Sequence, residues 1–143
     1  MSLLVGLDIQ SGVIHGLVRE RHRSREFIEL LEKIDTYYPQ DWIIKVICDN
    51  HSAHISKETR AYLKGHQGRF EFVFTPKHAS WLNIIEVLFS KMSRTVLRSI
   101  RADSVEEFCR RIETYWAQLN EEPVVFRWRY EVGQVDEDLS AIG

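Results

Sequence analysis

A chain of 143 residues with a formal net charge of -2, a hydrophobic fraction of 44% and a charged fraction of 28% has the composition of one globular domain and not of a disordered or collagen-like chain. A chain of roughly 150 residues buries about 70% of its unfolded surface, which is enough for a core. The charge balance excludes a global basic field, so affinity for nucleic acid has to come from local clusters of Lys and Arg.

The opening segment, Met1 to Gly6, lacks the basic region of a signal peptide. No apolar run approaches the roughly 20 residues that span a bilayer. A cytoplasmic location without membrane contact follows by default. Leu3 to Ile9 and Val13 to Val18 read as strands, and Gln10-Ser11-Gly12 between them reads as the turn of a hairpin. Ser24 is placed to cap a helix over Arg25 to Tyr38, with Phe27, Leu30, Leu31, Ile34 and Tyr38 at helical spacing and Pro39 as its stop. The apolar run Ile43 to Cys48, broken only by Lys45, suits a strand buried on both faces, as in a parallel sheet. Ser56 opens a short helix that Gly65 closes, and Phe70 to Phe74 is a further strand ended by Pro76. Ser80 precedes an amphipathic helix with Leu82, Ile85, Phe89, Met92 and Val96 on its apolar stripe. Ser104 followed three residues later by Glu107 is the signature of a capping box. It opens a last helix with Val105, Phe108, Ile112, Tyr115, Trp116 and Leu119 on one face. The order strand, strand, helix, strand, helix, strand, helix, helix predicts an α/β domain with a mixed sheet. The domain is expected over residues 1–128, with a tail over 129–143. Cys48 and Cys109 have no metal or redox spacing and read as buried structural residues.

Asp49 directly follows the apolar strand, and functional groups gather at the carboxyl ends of strands in α/β sheets. Asp49-Asn50 is equally able to make a turn by itself. Glu86 lies four residues after Leu82 and three before Phe89, which puts it on or beside the apolar face. A carboxylate there needs a cation, a metal or a hydrogen-bond donor; a rim glutamate paired with Lys or Arg is the competing reading. Taken together, one acid at a strand end and one on a helix make half of a two-metal site for phosphoryl transfer. Mg²⁺ is the fitting ion for hard oxygen ligands.

The blocks Asp49-Asn50-His51-Ser52-Ala53-His54 and Phe74-Thr75-Pro76-Lys77-His78-Ala79-Ser80-Trp81-Leu82-Asn83-Ile84-Ile85-Glu86 resemble the signature of mariner-type insertion-sequence transposases, a group of DDE enzymes. The 36 residues between Asp49 and Glu86 are close to that family's usual gap. Arg21 to Phe27 resembles its segment before the first helix, and Tyr115 to Asn120 its closing helix. The likeness runs from about Leu3 to Trp128. It implies an RNase H-like (ribonuclease H-like) fold, with Asp49 and Glu86 as the second and third catalytic acids and ligands of Mg²⁺ or Mn²⁺. It implies Asn50, His54, Trp81 and Asn83 as site wall or DNA-positioning residues. The family's first strand is central to its sheet and carries the first aspartate, whereas this chain begins its match at the second strand. The first acid is therefore expected to be missing and the chain to be inactive alone. The partners implied are DNA, at element ends and target, and further copies of the chain. Strand edges left unpaired by the absent strand would favour association.

Asp8 offers an alternative first acid, because Val5-Gly6-Leu7-Asp8 resembles the first strand of some RNase H-like nucleases. The resemblance downstream argues against a nuclease built on Asp8, Asp49 and Glu86. An inactive remnant that binds DNA or an intact transposase is a further reading. His51 and His54 could join Asp49 in a transition-metal site, although hydrogen bonding at a site rim explains them more simply. Arg19, Arg21, His22, Arg23 and Arg25 form one basic group. Lys91, Arg94, Arg98 and Arg101 form another at helical spacing, suited either to phosphates or to a solvated helix face.

Overall fold

Alternating side chains, which point to opposite faces of a strand, set the structure of the first sheet. The computed structural model describes residues 2–75, 80–92, 94 and 104–123, with the backbone alone for 80–85. Strand β1 (Ser2–Leu7) pairs antiparallel with β2 (Ile14–Arg19), Leu7 lying opposite Ile14. The hairpin is as anticipated, but β1 ends two residues early. The Asp8 carboxylate accepts the N–H groups of Gln10 and Ser11 at 2.9 and 3.2 Å and turns the chain there. Gly12 completes the turn at φ 81°, in the region that glycine occupies without strain.

Leu4 and Leu17 put one face of the hairpin against Leu30 and Ile34 of helix α1 (Ser24–Tyr37). Ile14 and Val18, with Leu3, Val5 and Leu7 around them, put the other face against two later helices. Helix α1 has a second apolar side. There Phe27 and Leu31 pack with Ala53, Val46, Phe70 and Phe72, so the helix lies against the second sheet as well. Ser24 is not the cap it was predicted to be. It is the first helical residue, and its hydroxyl donates to Ser56 Oγ at 2.6 Å. The helix start is held instead by Glu26, whose carboxylate accepts the Arg23 N–H at 3.1 Å and pairs with the Arg23 guanidinium at 2.7 Å.

The second sheet is a parallel pair, β3 (Ile44–Cys48) with β4 (Phe70–Phe74), in register from Ile44↔Phe70 to Cys48↔Phe74. Between them run α2 (Ser52–Ile55), which the sequence reading did not anticipate, and α3 (Lys57–Lys64). Ser56 caps α3 as predicted, accepting the Thr59 N–H at 3.2 Å. Two expectations need correction. The strands form two separate two-stranded sheets among the described residues, not one mixed sheet. For the same reason β3 is only half-buried, because β4 is its one strand partner there.

Helices α4 (Ser80–Met92) and α5 (Val105–Glu121) cover the outer face of the hairpin. Leu88, Met92, Ile112 and Trp116 form that core with Ile14 and Val18. Ser104 caps α5 as predicted, accepting the Glu107 N–H at 3.1 Å. Val105 departs from the predicted stripe and is exposed in the first turn. Near the other end, Asn120 treats Ile14 as a strand partner would. Its Oδ1 accepts the Ile14 N–H and its Nδ2 donates to the Ile14 carbonyl, both at 2.8 Å. This pins α5 to the open edge of β2. Cys48 and Cys109 are free and half-buried, and burial pushes the Cys48 thiol up to about 12. The predicted tail over 129–143 and Val96 lie outside the described residues, as do the side chains of Leu82 and Ile85.

Candidate functional site

Asp49 sits one residue beyond the carboxyl end of β3, where the apolar run stops and the chain turns into α2. Its side chain is 45% exposed. The turn reading and the site reading of Asp49 are both satisfied locally. Oδ1 accepts the His51 N–H at 3.0 Å, which fixes the turn and aims the carboxylate. His54 then comes back from α2, with Nδ1 at 3.1 Å from the Asp49 carbonyl and 3.2 Å from Oδ1. That nitrogen donates in the tautomer that satisfies both oxygens. His54 packs on Phe27 at a ring separation of 4.3 Å and is 12% exposed. Burial holds its pKa below the ordinary histidine range, against the opposing pull of Asp49. Asn50 is exposed beside them.

A residue that sequence reasoning assigned only to a basic group completes this corner. His22, in the link between β2 and α1, stacks on His51 with ring centroids 4.5 Å apart and lies 5.4 Å from the His54 ring. One ring nitrogen from each of the three histidines falls within 4.8 Å of the others. Burial, with the neighbouring rings adding to it, holds the His22 pKa down as well. His51 Nδ1 accepts the Ala53 N–H at 3.1 Å and so caps α2. No spacing in the sequence points to His22, which is 29 residues from His51; α1 brings the two together by packing against both sheets.

Glu86 does not lie on the apolar face of its helix, as the spacing from Leu82 and Phe89 suggested. It is exposed on α4, while Leu88 and Met92 are buried. At 3.6 residues per turn, Glu86 is about 160° round the helix from Leu88 and about 120° from Met92. Phe89 is half-buried and packs at the edge of the core. The side chain of Glu86 is therefore open to solvent and makes no hydrogen bond or ion pair among the described residues. Lys91 and Arg94 are exposed near the end of the same helix. Arg98 and Arg101 lie outside the described residues, as do the side chains of Trp81 and Asn83.

Asp8 belongs to a different place. Tyr38 Oη donates to its Oδ2 at 2.6 Å, and the backbone N–H groups of Gln10 and Ser11 take its Oδ1. Burial pushes the Asp8 carboxyl up, but these hydrogen bonds outweigh it and hold the pKa below its ordinary value. Tyr38 follows the last residue of α1, whereas His22 precedes its first. A helix of 14 residues is about 21 Å long. Asp8 and the Asp49 corner are thus at opposite ends of α1, which removes the grouping of Asp8 with Asp49 and Glu86.

Hard oxygen donors that are half-exposed or exposed, without a Lys or Arg partner among the described residues, suit a divalent ion that keeps several of its waters. Asp49 and Glu86 meet that description. Among the described residues no helix is long and apolar enough to cross a membrane.

A family model described as DDE superfamily endonuclease matches residues 1–109. A protein of Shigella sonnei described as "Insertion element IS630 uncharacterized 39 kDa protein" is 27% identical over 92 residues, which make up 64% of this chain and 26% of that protein. The chain thus spans about a quarter of the length of this relative.

Proposed function

This chain belongs to the DDE superfamily endonucleases, and on that premise we propose that it is a catalytic-core segment of a mariner-type insertion-sequence transposase, in which Asp49 and Glu86 ligate divalent metal ions. The observation that carries the proposal is Asp49 at the carboxyl end of a parallel strand, with its carboxylate aimed by the His51 N–H and half-open to solvent. Glu86 has the exposure that a second ligand requires.

The two strand pairs support an RNase H-like reading of the fold. A central strand between the antiparallel pair β1–β2 and the parallel pair β3–β4 would join them into one mixed sheet with α1 on one face. That strand would bring the first acid of the family pattern. Asp49 and Glu86 alone hold fewer ligands than a two-metal site needs, so the chain by itself is proposed not to cleave DNA. The strand edges that have no partner among the described residues favour pairing with further copies of the chain.

The ions proposed are Mg²⁺ or Mn²⁺. When bound, they would activate a water or a 3′-hydroxyl and offset charge during in-line attack at phosphorus. The chain's own part is to hold and aim the acids. The His51 N–H and the His54 ring fix the Asp49 carboxylate, and the Leu88–Met92 side of α4 anchors Glu86 facing outward. Lys91, Arg94, Arg98 and Arg101 are proposed to meet DNA phosphates, and Asn50, His54, Trp81 and Asn83 to line the site. The substrates proposed are element ends and target DNA. The domain is proposed to cover residues 1–128, with 129–143 as a tail.

Calorimetric titration of the purified chain with Mn²⁺ tests the carboxylate pair. We expect heat of binding in the parent and none from Asp49→Ala or Glu86→Ala at concentrations that saturate the parent. Binding in either variant equal to that of the parent excludes that residue as a ligand. Absence of binding in the parent leaves a fold remnant that contacts DNA or a transposase without a metal centre of its own.

A further inference from the structure

The corner beside Asp49 holds more nitrogen than a carboxylate site requires. Three imidazoles converge from two parts of the chain that are distant in sequence, and each presents a ring nitrogen within 4.8 Å of the others. We propose that His22, His51 and His54 form a three-histidine site for one borderline transition-metal ion of the Zn²⁺ class, separate in ligand chemistry from the hard-oxygen pair Asp49 and Glu86.

Ligand type favours that class of ion. Neutral imidazole suits Zn²⁺, Co²⁺, Ni²⁺ and Cu²⁺, whereas Mg²⁺ takes oxygen ligands. Zn²⁺ with three protein nitrogens and an open fourth position is a common arrangement. At Zn–N distances of about 2.0–2.1 Å, tetrahedral nitrogens stand about 3.4 Å apart, so the rings must draw in slightly on binding. His51 is exposed, so its ring can shift once it releases the Ala53 N–H.

The surroundings of two of the rings fit the role. His54 Nδ1 faces the carbonyl and the carboxylate of Asp49 at 3.1 and 3.2 Å. A ring that donates from Nδ1 to oxygen presents the lone pair of Nε2, which is how an outer carboxylate or carbonyl fixes the tautomer of a metal-binding histidine. His22 Nε2 is buried and has no hydrogen-bond partner among the described residues. A buried nitrogen left without a partner costs free energy that a metal bond would offset. His51 carries the opposing term. Its Nδ1 accepts the Ala53 N–H, and a neutral ring cannot both accept there and offer a lone pair at Nε2. Binding through His51 therefore exchanges this cap for a metal bond. A helix cap is a small term beside a metal–ligand bond, so this exchange does not bar binding.

The test is a titration of the untagged 143-residue chain with Co²⁺, followed by absorption in the visible, and then displacement with Zn²⁺. We expect one equivalent of Co²⁺ to give the intense bands of a low-coordinate nitrogen site, and Zn²⁺ to abolish them. Loss of an outer-sphere partner typically weakens a site about 10–100-fold, so His22→Asn and His51→Asn, which lose a ligand, should weaken Zn²⁺ by more than that. His51→Asn keeps a capping side chain for α2 and lies on the surface, so it should fold even if the half-buried His22 variant does not; far-UV circular dichroism checks both. Glu86→Gln should leave the Zn²⁺ affinity unchanged. Faint octahedral bands only, or Zn²⁺ affinity unaltered in a folded His51→Asn chain, would overturn the proposal. So would Zn²⁺ binding lost in Glu86→Gln, which would assign the ion to the carboxylates. Failure of Mn²⁺ to bind at Asp49 and Glu86 bears on the function proposed above and not on this site.

Discussion

Arg69→Ala is expected to lower the stability of the chain by about 3–5 kcal/mol, the range measured when one partner of a buried ion pair is removed. Arg69 is buried, and its guanidinium is saturated. Nε donates to Asp35 Oδ1 at 2.6 Å, Nη1 donates to the carbonyls of Pro39 and Trp42, both at 2.6 Å, and Nη2 donates to those of Asp35 and Tyr38 at 2.8 and 3.0 Å. One side chain thus closes the end of α1 and fixes the link into β3. Its own carbonyl accepts the Ile44 N–H at 2.8 Å and starts the parallel ladder. Removal takes a donor from four carbonyls and one carboxylate together; the Pro39 and Asp35 carbonyls keep a second donor in the Trp42 N–H and Gln40 Nε2, while those of Tyr38 and Trp42 lose the guanidinium outright. Against a total of about 5–15 kcal/mol for a domain, the loss is large enough to unfold a marginal chain. Urea denaturation followed by circular dichroism should show a lower midpoint with an unchanged slope. Arg69→Lys should recover little, because an ammonium has three donors on a point charge where the site uses a planar fork. A midpoint within error of the parent in Arg69→Ala would show that water replaces the guanidinium at no cost.

Gly16→Ala is expected to cost about 1–3 kcal/mol or more, through overpacking. A Cβ on Gly16 would stand 2.5–2.7 Å from three ring carbons of Trp116. The indole has nowhere to retreat. It is buried between the hairpin and α5, and its Nε1–H points at Met92 Sδ at 3.5 Å. The same denaturation experiment measures the cost. Trp116→Leu in the Gly16→Ala background tests the cause. The two changes should be strongly non-additive, the second recovering part of the loss from the first, because they share one contact. Additive losses would mean that the strain lies elsewhere.

Both residues show what the sequence could and could not convey. The hairpin, the strand from Phe70 to Phe74, the α3 cap at Ser56 and the α5 cap at Ser104 depend on neighbours within a few residues, and each was legible. So was Asp49, because an apolar run followed by an acid marks a strand end wherever the strand lies. Arg69 gave no signal, since its partners are 27 to 34 residues away and the four carbonyls it takes could belong to residues of any type. Gly16 was read as one strand residue among others, because the ring that excludes a side chain is 100 positions further on. His22 was absorbed into a basic group for the same reason. Glu86 shows the opposite failure. Its helix has apolar residues at so many positions that two stripes can be drawn through it, one through Leu82, Ile85 and Phe89 and one through Leu88 and Met92. Periodicity alone cannot choose between them, and the packing of Leu88 and Met92 against β2 and α5 does.

That choice leaves Glu86 facing outward, and the account requires it to share an ion with Asp49. The most direct test is paramagnetic broadening of backbone amide signals by Mn²⁺ added in small amounts to the isotopically labelled chain. Two stretches remote in sequence, Asn50–Ser52 and Val87–Leu88, should broaden together at the same Mn²⁺ concentration, and both effects should vanish in Asp49→Ala. Broadening confined to the Asn50–Ser52 stretch, with Val87 and Leu88 sharp throughout, would contradict a shared carboxylate site.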